Sequence, residues 1–297
     1  MKQLKVLELF AGTRSIGKEF DKKGHLVYSV EWDKTHENIN WYTDIGEITT
    51  QDIVSKFGIP DVIWASPDCT SYSVAGISHH RRKDEDGNLT PISEYAKFCD
   101  DVNKNLIKII DELLLLNPNL IYFIENPRGG MRKMNFIKDK PRYTLSYCQY
   151  GDKRQKPTDI WTNHKNPKFK PICKPGSSCH EAAPRGSRTG TQGIKGSKDR
   201  SRIPEQLCKH ISDICEEGFE DVIDIKYIVN ELIKNAKRFT TEGNWIYDVE
   251  GIEEWFNIKL NKLIIHRIKD LLEENEDVAD VQLYDDCVDI MLYQGSF

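Results

Sequence analysis

Short apolar runs that stop at a glycine or a charged residue, with helically spaced stretches between them, constrain this chain more than any other feature. Lys5-Val6-Leu7-Glu8-Leu9-Phe10 is the first such run and ends at Ala11-Gly12. Behind it Ile16 and Phe20 recur at helical spacing up to a turn at Gly24, and Leu26 to Val30 forms a second run that closes on Glu31-Trp32-Asp33. A third run, Asp61 to Ala65, and a fourth, Leu120 to Ile124, flank a stretch from Val102 to Leu116 whose apolar residues fall at the helix period. Strand, turn and helix alternating in this way predict a mostly parallel sheet covered by helices, with ligands received at the carboxyl ends of the strands. Those ends carry Gly12, Glu31, Cys69 and Glu125.

Each of these residue types suits a chemical task. A glycine turn after the first strand lets the backbone approach a ligand closely, and an acid ending the second strand can accept hydrogen bonds from ribose hydroxyls. Trp32 beside that acid offers a flat face for an adenine. Pro67 before Cys69, and Thr70-Ser71-Tyr72-Ser73 after it, place the cysteine in a loop, whereas most cysteines are buried packing residues. Glu125 directly follows four apolar residues, a position that serves either as a helix cap or as an active-site carboxylate.

Phe10-Ala11-Gly12 together with Glu31-Trp32-Asp33 resembles the cofactor-binding motifs of cytosine-C5 DNA methyltransferases. Ser66-Pro67-Asp68-Cys69 to Ser73 resembles the nucleophile motif of that family, and Glu125-Asn126-Pro127 its Glu-Asn motif. Gln149-Tyr150-Gly151 with Arg154, Lys156 and Thr158 resembles its basic motif, and Arg202-Ile203-Pro204 to Ile211 its returning segment. The resemblance implies an α/β fold: a Rossmann-like S-adenosylmethionine-dependent methyltransferase sheet with helices on both faces, a small target-recognition segment and a C-terminal α/β module. The expected boundaries are 1–161 for the catalytic domain, 162–200 for the recognition segment, 201–217 for the return segment and 218–297 for the module. It further implies that Phe10, Ala11, Gly12, Thr13, Glu31, Trp32, Asp44, Ile45 and Pro67 hold S-adenosylmethionine. Cys69 would attack C6 of a cytosine flipped out of double-stranded DNA, Glu125 would hold N3, and Arg154 or Lys156 would place a cation at O2. Ser73, Asn126, Arg185, Arg188 and Gln192 would contact the DNA. Methylation of transfer RNA and a catalytically silent DNA-binding role are the alternatives.

The sequence also departs from the family pattern. Asp68 stands where proline usually precedes the nucleophile, Thr70 where glutamine is common, and Pro127 where valine follows Glu-Asn. These read as marks of a divergent branch, such as enzymes carried by bacteriophages. A carboxylate beside Cys69 disfavours the thiolate.

Charge along the chain is uneven. The net charge of -5 hides a segment from Lys153 to Arg202 with 13 basic and 3 acidic residues, followed from Ser212 onward by 8 basic and 21 acidic ones. A basic segment rich in glycine and hydroxyls suits phosphate contact, a solvated loop being the bland alternative. His79-His80-Arg81-Arg82 reads first as a solvated loop tip, and otherwise as a lid over the flipped base. The 8 cysteines lack a repeating framework and are expected to be reduced thiols in a cytosolic protein. Cys173, Cys179 and His180, with Cys148 or His164 near, raise the question of zinc. Their spacing lacks two tight ligand pairs and adjacent Cys-His ligands are awkward, so a metal-free loop is expected. No apolar run approaches the roughly 20 residues that cross a bilayer. In the acidic tail, Tyr227 to Ala236 and Ile252 to Leu272 have helical periodicity and Val278 to Leu292 alternates like strands; its charge argues against phosphate contact, and its sequence names no protein partner.

Overall fold

A computed structural model describes residues 3–85, 87–174, 176–181, 197–220, 225–239, 244–256, 260, 262–284 and 286–292. The chain divides into two compact units, residues 1–220 and 221–297. In the first, β1 (Lys5–Leu9), α1 (Ser15–Lys22), β2 (Leu26–Glu31), β3 (Trp41–Tyr42), α2 (Thr50–Phe57) and β4 (Val62–Ala65) alternate as expected. A short helix α3 (Ile77–His80) and the hairpin β5 (Arg81–Lys83) and β6 (Leu89–Pro91) then lead to the long helix α4 (Glu94–Leu116). Strands β7 (Ile121–Pro127), β8 (Arg142–Ser146) and β9 (Pro157–Thr162) follow, with α5 (Ser197–Ser201) and α6 (Glu205–Glu220) after them.

The main sheet runs β3-β2-β1-β4-β7-β9-β8. Strands β3, β2, β1, β4 and β7 are parallel, and β9 lies antiparallel between β7 and β8. The order reverses between β1 and β4, which creates the crevice where open α/β sheets receive ligands. Register then fixes the height of that crevice: Leu9 pairs with both Val30 and Ala65, and Ala65 pairs with Ile124. The next residues along, Glu31, Phe10, Ser66 and Glu125, therefore leave the sheet at one level.

Both faces are covered, for a reason written in the alternation of β1. Leu7 and Leu9 join Ile63, Ala65, Tyr122 and Ile124 in a core closed by Ile53 of α2 and by Leu106, Ile110 and Leu113 of α4. Helix α2 is started by a capping box between Thr49 and Asp52, and α4 by the Ser93 hydroxyl accepting from the Ala96 N–H. The opposite face of β1 presents Glu8, an unusual strand residue to bury. Its carboxylate accepts from the Gly17 N–H of α1 at 2.8 Å and from the Ser29 hydroxyl at 2.9 Å, with the Arg14 guanidinium 3.8 Å away. A Cβ on Gly17 would collide with that carboxylate, so α1 needs glycine to come this close.

The second unit contains α7 (Ile225–Phe239), β10 (Asn244–Asp248), α8 (Val249–Phe256), α9 (Lys262–Glu273), β11 (Val278–Leu283) and β12 (Cys287–Leu292). Its antiparallel sheet, ordered β10-β12-β11, shares a core with Leu232, Ala236, Ile252, Ile268 and Leu272. The helical periodicity from Ile252 to Leu272 falls on α8 and α9, with the Leu260 N–H between them bonded to the Glu253 carboxylate at 2.7 Å. Strand β10 was not foreseen, although Tyr247 faces the core and Ile246 faces outward, the period-2 pattern of a strand. Among the described residues, no helix is long and apolar enough to cross a membrane.

Burial raises the Glu8 carboxyl from the ordinary 4.5 to about 7, against the hydrogen bonds and Arg14, which lower it. A carboxyl whose folded value lies above its unfolded one favours folding below the unfolded value and loses that contribution as pH rises through the folded one. The loss falls between pH 4.5 and about 7 and amounts to on the order of 3 kcal/mol at 1.36 kcal/mol per unit. Urea unfolding of wild type and Glu8→Gln at pH 5 and pH 8 checks this: wild type should lose more stability than the variant across that interval. Equal losses would remove Glu8 as the cause.

Candidate active site

The cofactor side begins where β1 ends. Phe10, Gly12 and Arg14 all take positive φ, at 54°, 49° and 55°, so the chain coils sharply out of the sheet before α1 begins. The residue before α1, Arg14, makes no side-chain bond to its first turn, where the Gly17 N–H is taken by Glu8. The Ala11 N–H bonds to the Val30 carbonyl at 3.1 Å, and the Gly12 N–H donates to Glu31 Oε2 at 2.9 Å. Glu31 Oε1 accepts from the Trp32 and Asp33 N–H groups at 3.0 and 3.1 Å. Three backbone donors thus hold a buried carboxylate that offers about four acceptor positions, leaving one on Oε2 for a ligand hydroxyl. Trp32 is 69% exposed, a large apolar ring left standing at the strand end.

A cavity of about 340 Å³ opens at this turn, lined by Gly12, Thr13, Ser15, Lys18, His36, Asn38 and Arg202 among others. That is within the size range of small-molecule sites. The Ile203 N–H reaches Ser15 Oγ at 3.4 Å, so the residues after α5 lie against the start of α1. Half-buried Asp44 is occupied by the Gly46 N–H at 2.8 Å, while Ile45 is a core residue whose carbonyl accepts from Asn105 at 2.8 Å. Only the backbone of Ile45 is polar there, and it is already engaged.

The reactive side lies at the ends of β4 and β7, neighbours in the sheet. Cys69 is half-buried in the turn after β4, where its carbonyl accepts from the Tyr72 and Ser73 N–H groups at 3.1 and 2.8 Å. The Asp68 carboxylate accepts from the Thr70 N–H at 2.7 Å and from the Thr70 hydroxyl at 3.2 Å. Asp68 therefore starts the turn much as a cap starts a helix. Asn126 of β7 donates to the Pro67 carbonyl at 3.1 Å, which joins the two strand ends; its Oδ1 is buried without a hydrogen-bond partner among the described residues. Pro67 is buried in that seam. Glu125 is buried, accepts from the Tyr147 hydroxyl at 2.9 Å and faces Lys156 Nζ at 3.8 Å.

Of the two cations foreseen for this site, the structure brings Lys156 to Glu125 and sends Arg154 elsewhere. Lys156 lies 4.3 Å over the Tyr147 ring and takes a positive φ of 28°, a backbone strain that clusters at functional sites. Arg154 is buried in a bidentate pair with Asp152 and donates to the Arg200 carbonyl at 2.9 Å. Ser73 is tied within its own turn, donating to the Thr70 carbonyl and accepting from the Gly76 N–H, both at 3.2 Å. Arg185, Arg188 and Gln192 lie outside the described residues.

The loop-tip reading of His79 to Arg82 does not hold for Arg81, which is a buried staple. Its guanidinium pairs with both Asp100 oxygens at 2.7 and 3.0 Å, donates to the Ser71 carbonyl at 2.9 Å and stacks 4.2 Å from the Tyr72 ring. The Tyr72 hydroxyl donates to Asp100 at 2.7 Å. The turn that presents Cys69 is thus bolted to α4. Sequence reading missed this pair, and also the pairing of Arg132 with buried Asp159 beside Glu125's neighbour β9. The available signals for Arg81 and Asp100 were an arginine opening a β-hairpin and two polar residues, Asp100 and Asn103, on the apolar face of α4.

With the geometry in place, comparison with known proteins gives one family. Residues 4–102 match the model of C-5 cytosine-specific DNA methylase. The matched third of the chain contains the β1 turn, Glu31 and the Cys69 turn. No curated protein matches the chain. Among solved structures, it is similar to the S. pombe Dnmt2 methyltransferase, with 14% identity, a TM-score of 0.38, and 54% of this chain and 49% of that one covered. A Spodoptera frugiperda DNMT2 mutant follows at 20%, 0.36, 58% and 54%, and the Entamoeba histolytica methyltransferase EhMeth at 15%, 0.37, 59% and 58%. The chain spans about half the length of these structures.

Burial raises the Cys69 thiol to about 11, with the charges of Asp68 and Glu125 adding to the rise and Lys156 opposing it. At neutral pH the resting thiol is therefore protonated. Asp68→Asn keeps an oxygen for the Thr70 N–H and removes one of the two opposing charges. Alkylation of Cys69 by iodoacetamide at pH 8, followed by peptide mass spectrometry, should be several-fold faster in the variant. An unchanged rate would remove Asp68 as a cause and leave burial and Glu125.

Proposed function

We propose that this protein transfers a methyl group from S-adenosylmethionine to C5 of a cytosine in DNA, by way of a covalent bond between Cys69 and C6. The observation that carries the reading is the meeting of a loop cysteine with a buried Glu125–Lys156 pair at adjacent strand ends, on the same sheet edge as the Gly12–Glu31 turn. S-adenosylmethionine would supply an electrophilic methyl on a sulfonium. The free position on Glu31 Oε2 suits its ribose, the exposed Trp32 face its adenine, and the cavity beside the start of α1 the rest of the molecule.

C5 of cytosine is a weak nucleophile. Addition of the Cys69 thiolate to C6 moves the electrons of the C5–C6 double bond into the ring and makes C5 able to attack the methyl. Charge then builds at N3 and O2. A carboxyl at N3 and an ammonium at O2 stabilise that state more than the resting one, and Glu125 with Lys156, 3.8 Å apart, would be that pair. Loss of the C5 proton and departure of the thiol complete the exchange. Arg154, held by Asp152, supports the loop that carries Lys156 rather than the base itself. The buried, unpartnered Asn126 Oδ1 next to the Cys69 turn can accept from the exocyclic amine of the same base. The basic stretch from Lys153 to Arg202 supports a polyanionic substrate.

A duplex containing 5-fluorocytosine tests the chemistry and the polymer together, because fluorine cannot leave as a proton does. Wild type with cofactor should be trapped on the duplex as a covalent adduct, and Cys69→Ser should not. Lys156→Ala should slow trapping by 10-fold or more, within the range for one electrostatic contact to a transition state, while Cys287→Ser changes nothing. Trapping on fluorinated transfer RNA instead would move the substrate to RNA, and no adduct on either would leave a silent binder. Cofactor binding is read separately by calorimetry. Glu31→Ala should weaken it by about 1–3 kcal/mol, the worth of hydrogen bonds to a charged group, and equal affinity in a folded variant would remove Glu31 from the ribose.

A further inference from the structure

Four metal-ligating side chains converge away from the Cys69 site. Cys148 lies in the 3-10 turn Tyr147–Tyr150, and Cys173, Cys179 and His180 follow β9. Their donor atoms all lie within 4.8 Å of one another. Cys173 Sγ is 3.1 Å from Cys179 Sγ and 3.4 Å from His180 Nδ1, and Cys179 Sγ is 3.6 Å from Cys148 Sγ and 3.7 Å from His180 Nδ1. We propose that Cys148, Cys173, Cys179 and His180 bind one zinc ion as a closed tetrahedral site, which clamps the chain following β9 to the loop that carries Lys156.

The spacing of the donors fits this ion. Zinc bonds of about 2.3 Å to sulfur and 2.0–2.1 Å to nitrogen give tetrahedral edges of about 3.8 Å between sulfurs and about 3.6 Å from sulfur to nitrogen. The four separations above run from 3.1 to 3.7 Å and every donor lies within 4.8 Å of the others, which small side-chain shifts bring to these edges and which is far from the roughly 2.05 Å of a disulfide. Three thiolates and an imidazole are soft ligands in a tetrahedral array, a set that selects zinc over magnesium or calcium. Adjacency of Cys179 and His180, awkward in an extended chain, is resolved by the turn through residues 178–179 that brings both side chains to one side.

Hydrogen bonds around the cluster hold it to one loop. The Cys173 N–H donates to Ser146 Oγ at 3.0 Å, Gln155 donates to the Cys173 carbonyl at 3.1 Å, and the Glu181 N–H donates to the Lys153 carbonyl at 2.9 Å. Gln149 Nε2 points at Cys179 Sγ from 3.4 Å, the kind of outer donor that supports a bound thiolate. Every one of these partners lies between residues 146 and 155, immediately before Lys156. All four ligand positions being filled by protein, the ion would build structure rather than activate water.

Metal analysis of the full chain purified under reducing conditions should find about one zinc per chain. The double variant Cys173→Ser/Cys179→Ser should fall to background, and Cys287→Ser should match wild type. Should the double variant fail to fold, cobalt(II) titrated into chelator-treated, reduced wild type decides. One equivalent with thiolate charge-transfer and tetrahedral ligand-field bands is the expected result. Absence of those bands, uptake no greater than in the double variant, or a Cys173–Cys179 disulfide in freshly isolated metal-free protein would overturn the site.

Discussion

Level pairing of β2, β1, β4 and β7 is the constraint on which the rest of the first unit depends. Parallel strands cannot be joined by short turns, so the chain must cross back between them and each must finish at the same sheet edge. Pairing of Val30, Leu9, Ala65 and Ile124 in one row makes the next residue of every strand a potential ligand contact. Four residues far apart in sequence are then brought together by backbone hydrogen bonds alone. Side chains need only decide what each strand end does. At β2 the end is a carboxylate pinned by three N–H groups, and at β7 one left facing an ammonium.

The two halves of the reactive pair are supported by different means. The Cys69 turn hangs on a buried ion pair, since Arg81 reaches both the Ser71 carbonyl and Asp100 of α4. Losing one partner of such a pair is severe because the other stays charged and buried. Glu125, by contrast, is paired with Ile160 of β9, one residue beyond the last pair between β4 and β7, and is held by Tyr147. Burial and the charge of Glu125 push the Tyr147 hydroxyl well above its ordinary value, so it remains a donor to that carboxylate. Rigidity on the Glu125 side and a bolted turn on the Cys69 side keep the two groups in register without a direct bond between them.

Much of this was legible in the sequence because buried parallel strands are continuous apolar runs, and their ends announce themselves with Gly12, Glu31 and Glu125. Legibility failed wherever a partner lies far along the chain. Arg81 and Asp100 are 19 positions apart, Arg132 and Asp159 are 27 apart, and neither pair has a local pattern. Glu8 stands inside an apolar run, and its partners Gly17 and Ser29 come from the next helix and the next strand. The choice between Arg154 and Lys156 also needed coordinates. Asp152, two residues before Arg154, claims that guanidinium through a local turn, a signal that was present in the sequence and carried less weight than the motif.

The environment of Cys69 sets a condition on any chemistry there. Burial first, and then the charges of Asp68 and Glu125, hold the thiol protonated, against Lys156 and a backbone hydrogen bond. Asp68 cannot simply be dispensed with, since its carboxylate starts the turn that aims Cys69. Of the two charges, only that of Glu125 can be relieved by a substrate. On the proposed reading, a base whose N3 accepts from Glu125 requires that carboxylate to take up a proton, which the Cys69 thiol can give up, and a negative charge then leaves the side of the sulfur while Lys156 stays. Binding of the target and activation of the nucleophile would then be one event. The loop carrying Lys156 must hold a strained backbone for this to work, which is why what anchors residues 146–155 matters to the reaction as much as the groups that touch the base.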